Sequence, residues 1–394
     1  MTKGDGAKLD ERKNKDGARQ EEAMEQKTGH SEEAMARKAA AQESAAQKAG
    51  GLKAAGEKKS GNLLEINNLK VSFFTPAGEV KAVGGISYDL AYGEVMGIVG
   101  ESGSGKSVEA YTIMGLLQSP GKVLEGEVLF EGENLLDYSK EQIEDFRGTR
   151  ASMIFQNPMT CLNPVYTVGN QLMEALLCHD KKIGSKKAWE RAVEMLTLVG
   201  INNPERRMKQ YPHELSGGMR QRVMIAMGLI CDPKLLIADE PTTALDVTIQ
   251  AQILELMKDI QHRTHMSIIF ITHNLGVVAE ICDRVSVMYA GKIVEQGTVD
   301  DIFYDPSHPY TLGLMKSMPR VDSKQYERLI PIEGTPVDML NPPEGCGFGS
   351  RCQHCMKICL RKEPPTIDLG GGHRASCWLL ALKEKEEKEE EQNG

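Results

Sequence analysis

The stretch Gly100-Glu101-Ser102-Gly103-Ser104-Gly105-Lys106-Ser107 constrains this chain more than any other. It has the form G-x-x-x-x-G-K-[ST]. The run before it, Val95-Met96-Gly97-Ile98-Val99, is short and apolar and reads as a buried strand. The residues after it, Val108 to Leu117, read as a helix. Strand, glycine-rich turn and helix in that order make a phosphate cradle. Glycine lets backbone N–H groups approach phosphate oxygens, and the helix N-terminus adds a favourable dipole. In such a cradle Lys106 neutralises the terminal phosphates and the Ser107 hydroxyl ligates Mg2+. A chance glycine-rich turn would lack a strand and a helix in register on its two sides.

Composition excludes several classes. The 394 residues suffice for two or three domains. A net charge of −9 argues against a nucleic-acid partner. No run of about 18 apolar residues is available to span a membrane. The start, Met1-Thr2-Lys3-Gly4-Asp5, is polar and does not read as a secretory signal. A cytosolic setting is expected, where disulfides are rare, so nine cysteines call for another explanation. Residues 1–61 are rich in Lys, Glu, Ala, Gly and Gln without an apolar face, and read as a disordered or transiently helical extension. Residues 382–394 read as a solvated charged tail.

Between these ends the chain reads as α/β. Strands are expected from near Leu63 to Phe73, from Val80 to Leu90 and from Gly126 to Glu131, with a turn at Thr75-Pro76-Ala77-Gly78. Of the adjacent rings Phe73 and Phe74, one is a candidate to stack on adenine; ordinary strand packing is the alternative. Ser152 to Phe155 is another strand, ending in the amide Gln156, and Asn157 to Pro164 reads as a loop. Val168, Leu172, Ala175 and Leu176, then Ala192, Met195, Leu196 and Val199, fall on helical spacings, so a helical insertion is expected over about 157–230. Within it, Leu215-Ser216-Gly217-Gly218-Met219-Arg220-Gln221 opens a second helix with Ser and glycines, another anion-binding terminus. The strand Leu235 to Ala238 runs into Asp239 and Glu240, and Asp246 follows in a tight loop. The strand Ile268 to Thr272 ends in His273. In open α/β sheets ligands bind at the carboxyl ends of strands. Asp239 there suits Mg2+, and Glu240 suits polarising an attacking water. A lone histidine is usually structural, but four polar groups at strand ends are hard to obtain from packing alone.

Together these motifs resemble the nucleotide-binding subunits of ATP-binding cassette (ABC) transporters, over roughly Leu63 to Phe303. The resemblance implies an α/β phosphate-loop ATPase cassette: a mixed sheet core (62–303) with an antiparallel β subdomain and a helical subdomain. It implies that Gly100–Ser107 is the Walker A loop, Gln156 the Q-loop residue, and Leu215–Gln221 the signature. Asp239 is then the Walker B acid, Glu240 the catalytic base, Asp246 the D-loop acid and His273 the switch histidine. Phe73, with Phe74 as the alternative, takes the place of the adenine-stacking aromatic. The Leu-Ser-Gly-Gly signature is the family-specific piece. In the family two subunits pack head to tail, each ATP lying between one phosphate loop and the other subunit's signature. A second ATPase subunit, identical or related, is therefore implied, with two membrane-spanning permease subunits and an external solute-binding protein.

The segment 304–381 narrows the resemblance. Asp305-Pro306-Ser307-His308-Pro309-Tyr310-Thr311 and Asn341-Pro342-Pro343-Glu344-Gly345-Cys346-Gly347-Phe348 look like the oligopeptide/dipeptide importer group, which also includes nickel importers. The group acts at the cytoplasmic face of the membrane, where this chain is expected as a peripheral subunit. Five of the nine cysteines fall between Cys346 and Cys377, spaced C-x5-C-x2-C-x3-C-x17-C, and such clustering in a cytosolic chain argues for a metal site. In these importers Cys346, Cys352, Cys359 and Cys377 are similar to ligands of a [4Fe–4S] cluster. Thiolate-only coordination also admits zinc, Cys355 lies outside the family pattern, and the absence of any metal is the third possibility. Cys161, Cys178, Cys231 and Cys282 read as small core residues.

Overall fold

The computed structural model describes residues 61–156, 161–180, 182–242, 246–318 and 330–384. The expectations for the N-terminal extension (residues 1–60), for loop residues 157–160 and for the tail from 385 lie outside the described residues.

Two sheets carry the fold. The first is antiparallel, in the order β2-β1-β4-β5. It comprises β1 (Asn62–Thr75), β2 (Gly78–Ala91), β4 (Gly121–Phe130) and β5 (Glu133–Asn134). One face is apolar: Leu64, Ile66, Leu69 and Val71 of β1 are buried with Val128 and Phe130 of β4. The register of β1 against β2 slips between Ile66 and Leu69, which keeps apolar residues inward past the polar pair Asn67 and Asn68. β4 begins five residues before the expected Gly126, because Gly121 to Glu125 pair with Phe73 to Lys70 of β1 despite their polarity.

The second sheet has eight strands, in the order β11-β12-β10-β9-β3-β8-β7-β6. Its parallel part is β3 (Val95–Val99), β6 (Ala151–Ile154), β7 (Leu235–Asp239), β8 (Ser267–Thr272) and β9 (Arg284–Tyr289). Every residue of β3, β6, β7 and β8 is buried. This is why they read as unbroken apolar runs: both faces of a parallel sheet are covered. β10 (Lys292–Thr298) pairs antiparallel with β9. β11 (Thr366–Gly370) and β12 (His373–Ser376), from the far C-terminal region, extend the sheet from β10.

Helix α1 (Lys106–Ile113) follows β3, and α2 (Lys140–Thr149) precedes β6. α1 starts two residues before the expected Val108 and ends four before the expected Leu117. Gly115, at φ 61, sits just past the Met114 cap, where a left-handed glycine closes a helix. The helical layer is α3 (Val168–His179), α4 (Ser185–Leu198), the single turn α5 (Pro204–Arg207) and α6 (Gly217–Leu229). Leu172, Leu176, Ala192, Met195, Leu196 and Val223 join Ile154 and Leu236 of the sheet in one core. Then come α7 (Val247–Thr264), α8 (Leu275–Ile281), α9 (Val299–Tyr304) and α10 (Pro309–Lys316). Among the described residues no helix is long and apolar enough to cross a membrane.

A third core joins the sheet to the C-terminal region: Val287 and Tyr289 of β9 pack with Ile302, Tyr310 and Phe348. Beside it lies a buried polar contact, Glu295 Oε1 to His373 Nε2 at 2.9 Å. The same carboxylate accepts the backbone N–H groups of Ser307 (2.6 Å) and His308 (3.1 Å), so its lone pairs are met.

Candidate active site

The carboxyl ends of β3, β8, β7 and β6 lie side by side in the sheet. Each delivers one of the expected groups: the glycine-rich turn after Val99, His273 after Thr272, Asp239 with Glu240, and Gln156 two residues past Ile154. The turn needs its glycines. Gly105 has φ 102, and a Cβ there would collide with the carbonyl of Ala82; at Gly100 a Cβ would collide with the carbonyl of Met288. No side chain caps α1, which begins at Lys106, so the first-turn N–H groups are left for a ligand. Lys106 is 6 % exposed and its ammonium folds back over the turn, donating to the carbonyls of Gly100 (2.8 Å) and Glu101 (2.9 Å). Burial lowers its pKa, and the carboxylates of Glu240, Asp239 and Glu101 work against that shift. Ser102 and Gly103 are exposed at the tip.

Asp239 is 3 % exposed, and the Ser107 hydroxyl donates to its Oδ1 at 3.1 Å. Burial raises the Asp239 carboxyl above its ordinary value, and the Ser107 bond pulls the other way. A hydroxyl and a carboxylate side by side at the mouth of a phosphate cradle are hard oxygen donors that fit Mg2+. Glu240 is the centre of a smaller network. The Gln156 amide donates to its Oε2 at 2.6 Å, and His273 Nδ1 lies 3.0 Å from its Oε1. The Glu240 backbone has φ 46, uncommon for a residue with a side chain, and its N–H donates to the Ile271 carbonyl at 2.9 Å. This turn is what carries the carboxylate out of the strand line and between Gln156 and His273.

The remaining expected residues are placed apart from this group. Ser216 caps α6, its hydroxyl accepting from the Met219 N–H at 3.4 Å; Ser216 and Gly217 face solvent, and Gly218 is partly covered by Ile249. Asp246 caps α7, its carboxylate accepting from the Ile249 N–H at 3.0 Å. The Phe73 ring is half-buried against Gly121, where a Cβ would come within 2.8 Å of it. Phe74 is 45 % exposed, with the Lys122 ammonium 5.6 Å from its ring centre. Gln221, the last residue of the signature, is buried and donates to the carbonyl of Pro241, tying the signature helix to the turn beyond Glu240.

None of the nine cysteines is joined in a disulfide. Cys178, expected in the core, is exposed in the last turn of α3. Cys346 and Cys359 share a backbone hydrogen bond of 2.7 Å. Burial raises the thiol of Cys346 to about 11, and the charges of Cys359, Cys377 and Cys352 add to it. Burial raises the Cys377 thiol above its ordinary value, and the backbone N–H groups of Leu379 and Leu380 pull the other way. The donor set is therefore all sulfur and lies within mutual electrostatic reach. Among the described residues, no three or more His, Cys, Asp or Glu side chains converge as metal ligands do.

A parallel sheet whose strand ends gather a phosphate cradle, an acid beside its Ser, and a carboxylate held by an amide and an imidazole defines an ATPase of the phosphate-loop class. The comparisons agree with that class and refine it. Residues 83–243 match the family described as "ABC transporter", and residues 294–359 match "Oligopeptide/dipeptide transporter, C-terminal region". The chain is 57% identical over 319 residues to the oligopeptide transport ATP-binding protein OppD of Bacillus subtilis, covering 81% of this chain and 89% of that protein. It is 56% identical to the dipeptide transport ATP-binding protein DppD of the same organism, covering 80% and 94%. A solved dimeric structure, the post-hydrolysis state of the ATP-binding cassette MJ0796 bound to ADP and Pi, is 25% identical and superposes with a TM-score of 0.55 over 60% of this chain and 98% of that one. The chain belongs to the ATP-binding subunits of the oligopeptide/dipeptide ABC transporter family, whose cassettes couple ATP hydrolysis to transport.

Proposed function

We propose that this chain powers the import of di- and oligopeptides, hydrolysing ATP at the site centred on Glu240. The observation that carries the chemistry is the Glu240 carboxylate between Gln156 (2.6 Å) and His273 (3.0 Å), next to the Ser107–Asp239 pair. In this reading the turn Gly100–Ser107 and the first N–H groups of α1 bind the phosphates, and Lys106 swings from the Gly100 and Glu101 carbonyls onto the terminal ones. Ser107, Asp239 and Gln156 hold Mg2+, which supplies charge neutralisation across the phosphate oxygens. Glu240 orients and polarises the attacking water, and His273 steadies its carboxylate. Either Phe73 or Phe74 stacks on the adenine; Phe74 offers the freer ring.

The exposed Ser216 and Gly217 do not complete this site within one chain, which supports a head-to-tail dimer with an identical or related ATPase. The solved structure of the ATP-binding cassette MJ0796 is dimeric. The dimer works with two permease subunits and an external solute-binding protein, as a peripheral subunit on the cytoplasmic face of the membrane. Peptide cargo rests on the names of the relatives and on the match at residues 294–359. Cys346, Cys352, Cys359 and Cys377 are proposed to hold a [4Fe–4S] cluster, with zinc as the competing occupant; the all-sulfur donor set supports it. Iron and zinc analysis of anaerobically purified protein decides between them, and finding neither metal rejects both.

Uptake tests the main reading. Cells carrying Glu240→Gln in place of the wild type are followed with labelled peptides and with nickel in parallel. Loss of peptide uptake alone is expected. Loss of nickel uptake alone would move the cargo to the metal, and no loss of either would remove the transport role.

A further inference from the structure

We propose that Arg351, in the C-terminal region, is a positioning residue for the phosphate loop, acting through Glu101 to set the affinity for ATP. Glu101 is the second residue of the Gly100–Ser107 turn, a position the motif leaves open to any residue. Here each of its polar groups is engaged. Its N–H donates to the Tyr310 hydroxyl at 2.9 Å. Its carbonyl accepts from the Lys106 ammonium at 2.9 Å and from the Ser104 N–H at 3.2 Å. Its carboxylate takes a two-pronged bond from Arg351, Nη1 to Oε2 at 2.6 Å and Nη2 to Oε1 at 3.1 Å.

Arg351 is itself fixed. Its side chain is 4% exposed. Its other donors reach the carbonyls of Glu333 (3.0 Å) and Ile332 (3.2 Å) and the Tyr289 hydroxyl (3.3 Å). Its guanidinium lies 5.8 Å from the centre of the Tyr289 ring, which packs at 4.6 Å on Tyr310. Surface ion pairs contribute little, but this one is shielded, forked and anchored on one side by backbone carbonyls. A carboxylate so held fixes the direction of the Glu101 peptide, and with it the carbonyl that parks Lys106. A phosphate cradle works by having its N–H groups already aimed, and ordering a loose loop on binding costs affinity. The groups that act on water, Glu240, Gln156 and His273, sit on other strands and do not touch Arg351. The pair therefore governs binding rather than the chemical step. This inference rests on the reading that Gly100–Ser107 cradles ATP.

The test is a double-mutant cycle on the full chain, with a fluorescent ATP analogue for Kd and steady-state ATPase assays in the reconstituted transporter. Arg351→Gln and Glu101→Gln are each expected to weaken nucleotide binding about 5- to 20-fold. The double variant is expected to be no weaker than the worse single one. Arg351→Lys, which keeps the charge and loses the fork, should fall between wild type and Arg351→Gln. KM for ATP should rise with Kd in the Arg351 variants while kcat stays within about twofold. A Kd within twofold of wild type in every variant, or effects that multiply in the double variant, would overturn the proposal. So would a fall in kcat with KM unchanged. If Arg351→Gln does not fold, Arg351→Lys and Glu101→Gln carry the same comparison. Lys106→Ala separates the two levels. If it leaves nucleotide binding intact, the reading of the cradle fails and this inference with it; if it abolishes binding while the Arg351 variants bind normally, only this inference fails.

Discussion

Glu109 lies in the first turn of α1, three residues past Lys106, and is 1% exposed. Its Oε1 accepts from the Tyr88 hydroxyl, and its Oε2 has no partner among the described residues. Burial is the main cause that raises its pKa from 4.5 to about 8, and the Tyr88 bond offsets only part of that. A carboxyl whose folded pKa lies above its unfolded one stabilises the fold fully below the unfolded value, and that contribution is lost as pH rises toward the folded value. From pH 4.5 to pH 7 the unfolded chain releases this proton and the folded chain keeps it. At about 1.4 kcal/mol per pH unit, roughly 3 kcal/mol of stability is given up by pH 7. Glu109→Gln keeps the shape and the acceptor for Tyr88 and removes the ionisation. The difference in unfolding midpoint between variant and wild type should therefore move in favour of the variant by roughly 6 °C from pH 5 to pH 7.5, at about 2 °C per kcal/mol. Differential scanning fluorimetry of nucleotide-free protein across that range reads it directly. Parallel pH profiles for the two proteins would show that Glu109 is ionised when folded, and the reasoning from burial would fail.

Three further outcomes follow from the site. Lys106→Ala should weaken ATP binding at least 10-fold, measured by isothermal titration with Mg2+ present, because the only buried ammonium in the cradle is removed. Glu240→Gln should bind ATP within a few-fold of wild type and lose more than about 100-fold in turnover, the outcome that the proposed role of Glu240 in activating water requires. Asp246→Ala should cost about 1 kcal/mol of stability through the lost cap on α7, read by urea unfolding, whereas Asp246→Asn should cost little.

The cassette was legible because its chemistry sits where strands stop. Buried parallel strands are unbroken apolar runs, so Val95–Val99, Leu235–Asp239 and Ser267–Thr272 announce themselves, and the polar residue after each is conspicuous. Asp239, Glu240 and His273 fall at those ends in the structure, and Gln156 lies two residues past the end of Ala151–Ile154. What stayed hidden depends on pairing between distant residues. β11 and β12 are short and partly exposed, and β12 earns its place by pairing with β10, near which Glu295 meets His373, 78 positions away in sequence. The Arg351–Glu101 bond spans 250 positions and leaves no periodic trace. The left-handed turn at Glu240 was equally silent, since nothing in a glutamate's side chain asks for positive φ.

The strand β12 also bears on how such chains can be cut and joined. The two family matches end at residue 243 and at residue 359, yet the sheet they share is finished by strands at 366–370 and 373–376. A fragment stopped after Phe303 would leave β10 as a bare sheet edge and Glu295 buried without His373 or the N–H groups of Ser307 and His308. The part that binds nucleotide is thus not a separable unit here. Any chimaera that transplants it must carry the chain through Ser376, and recombination inside that span produces a protein with an open edge and a stranded charge.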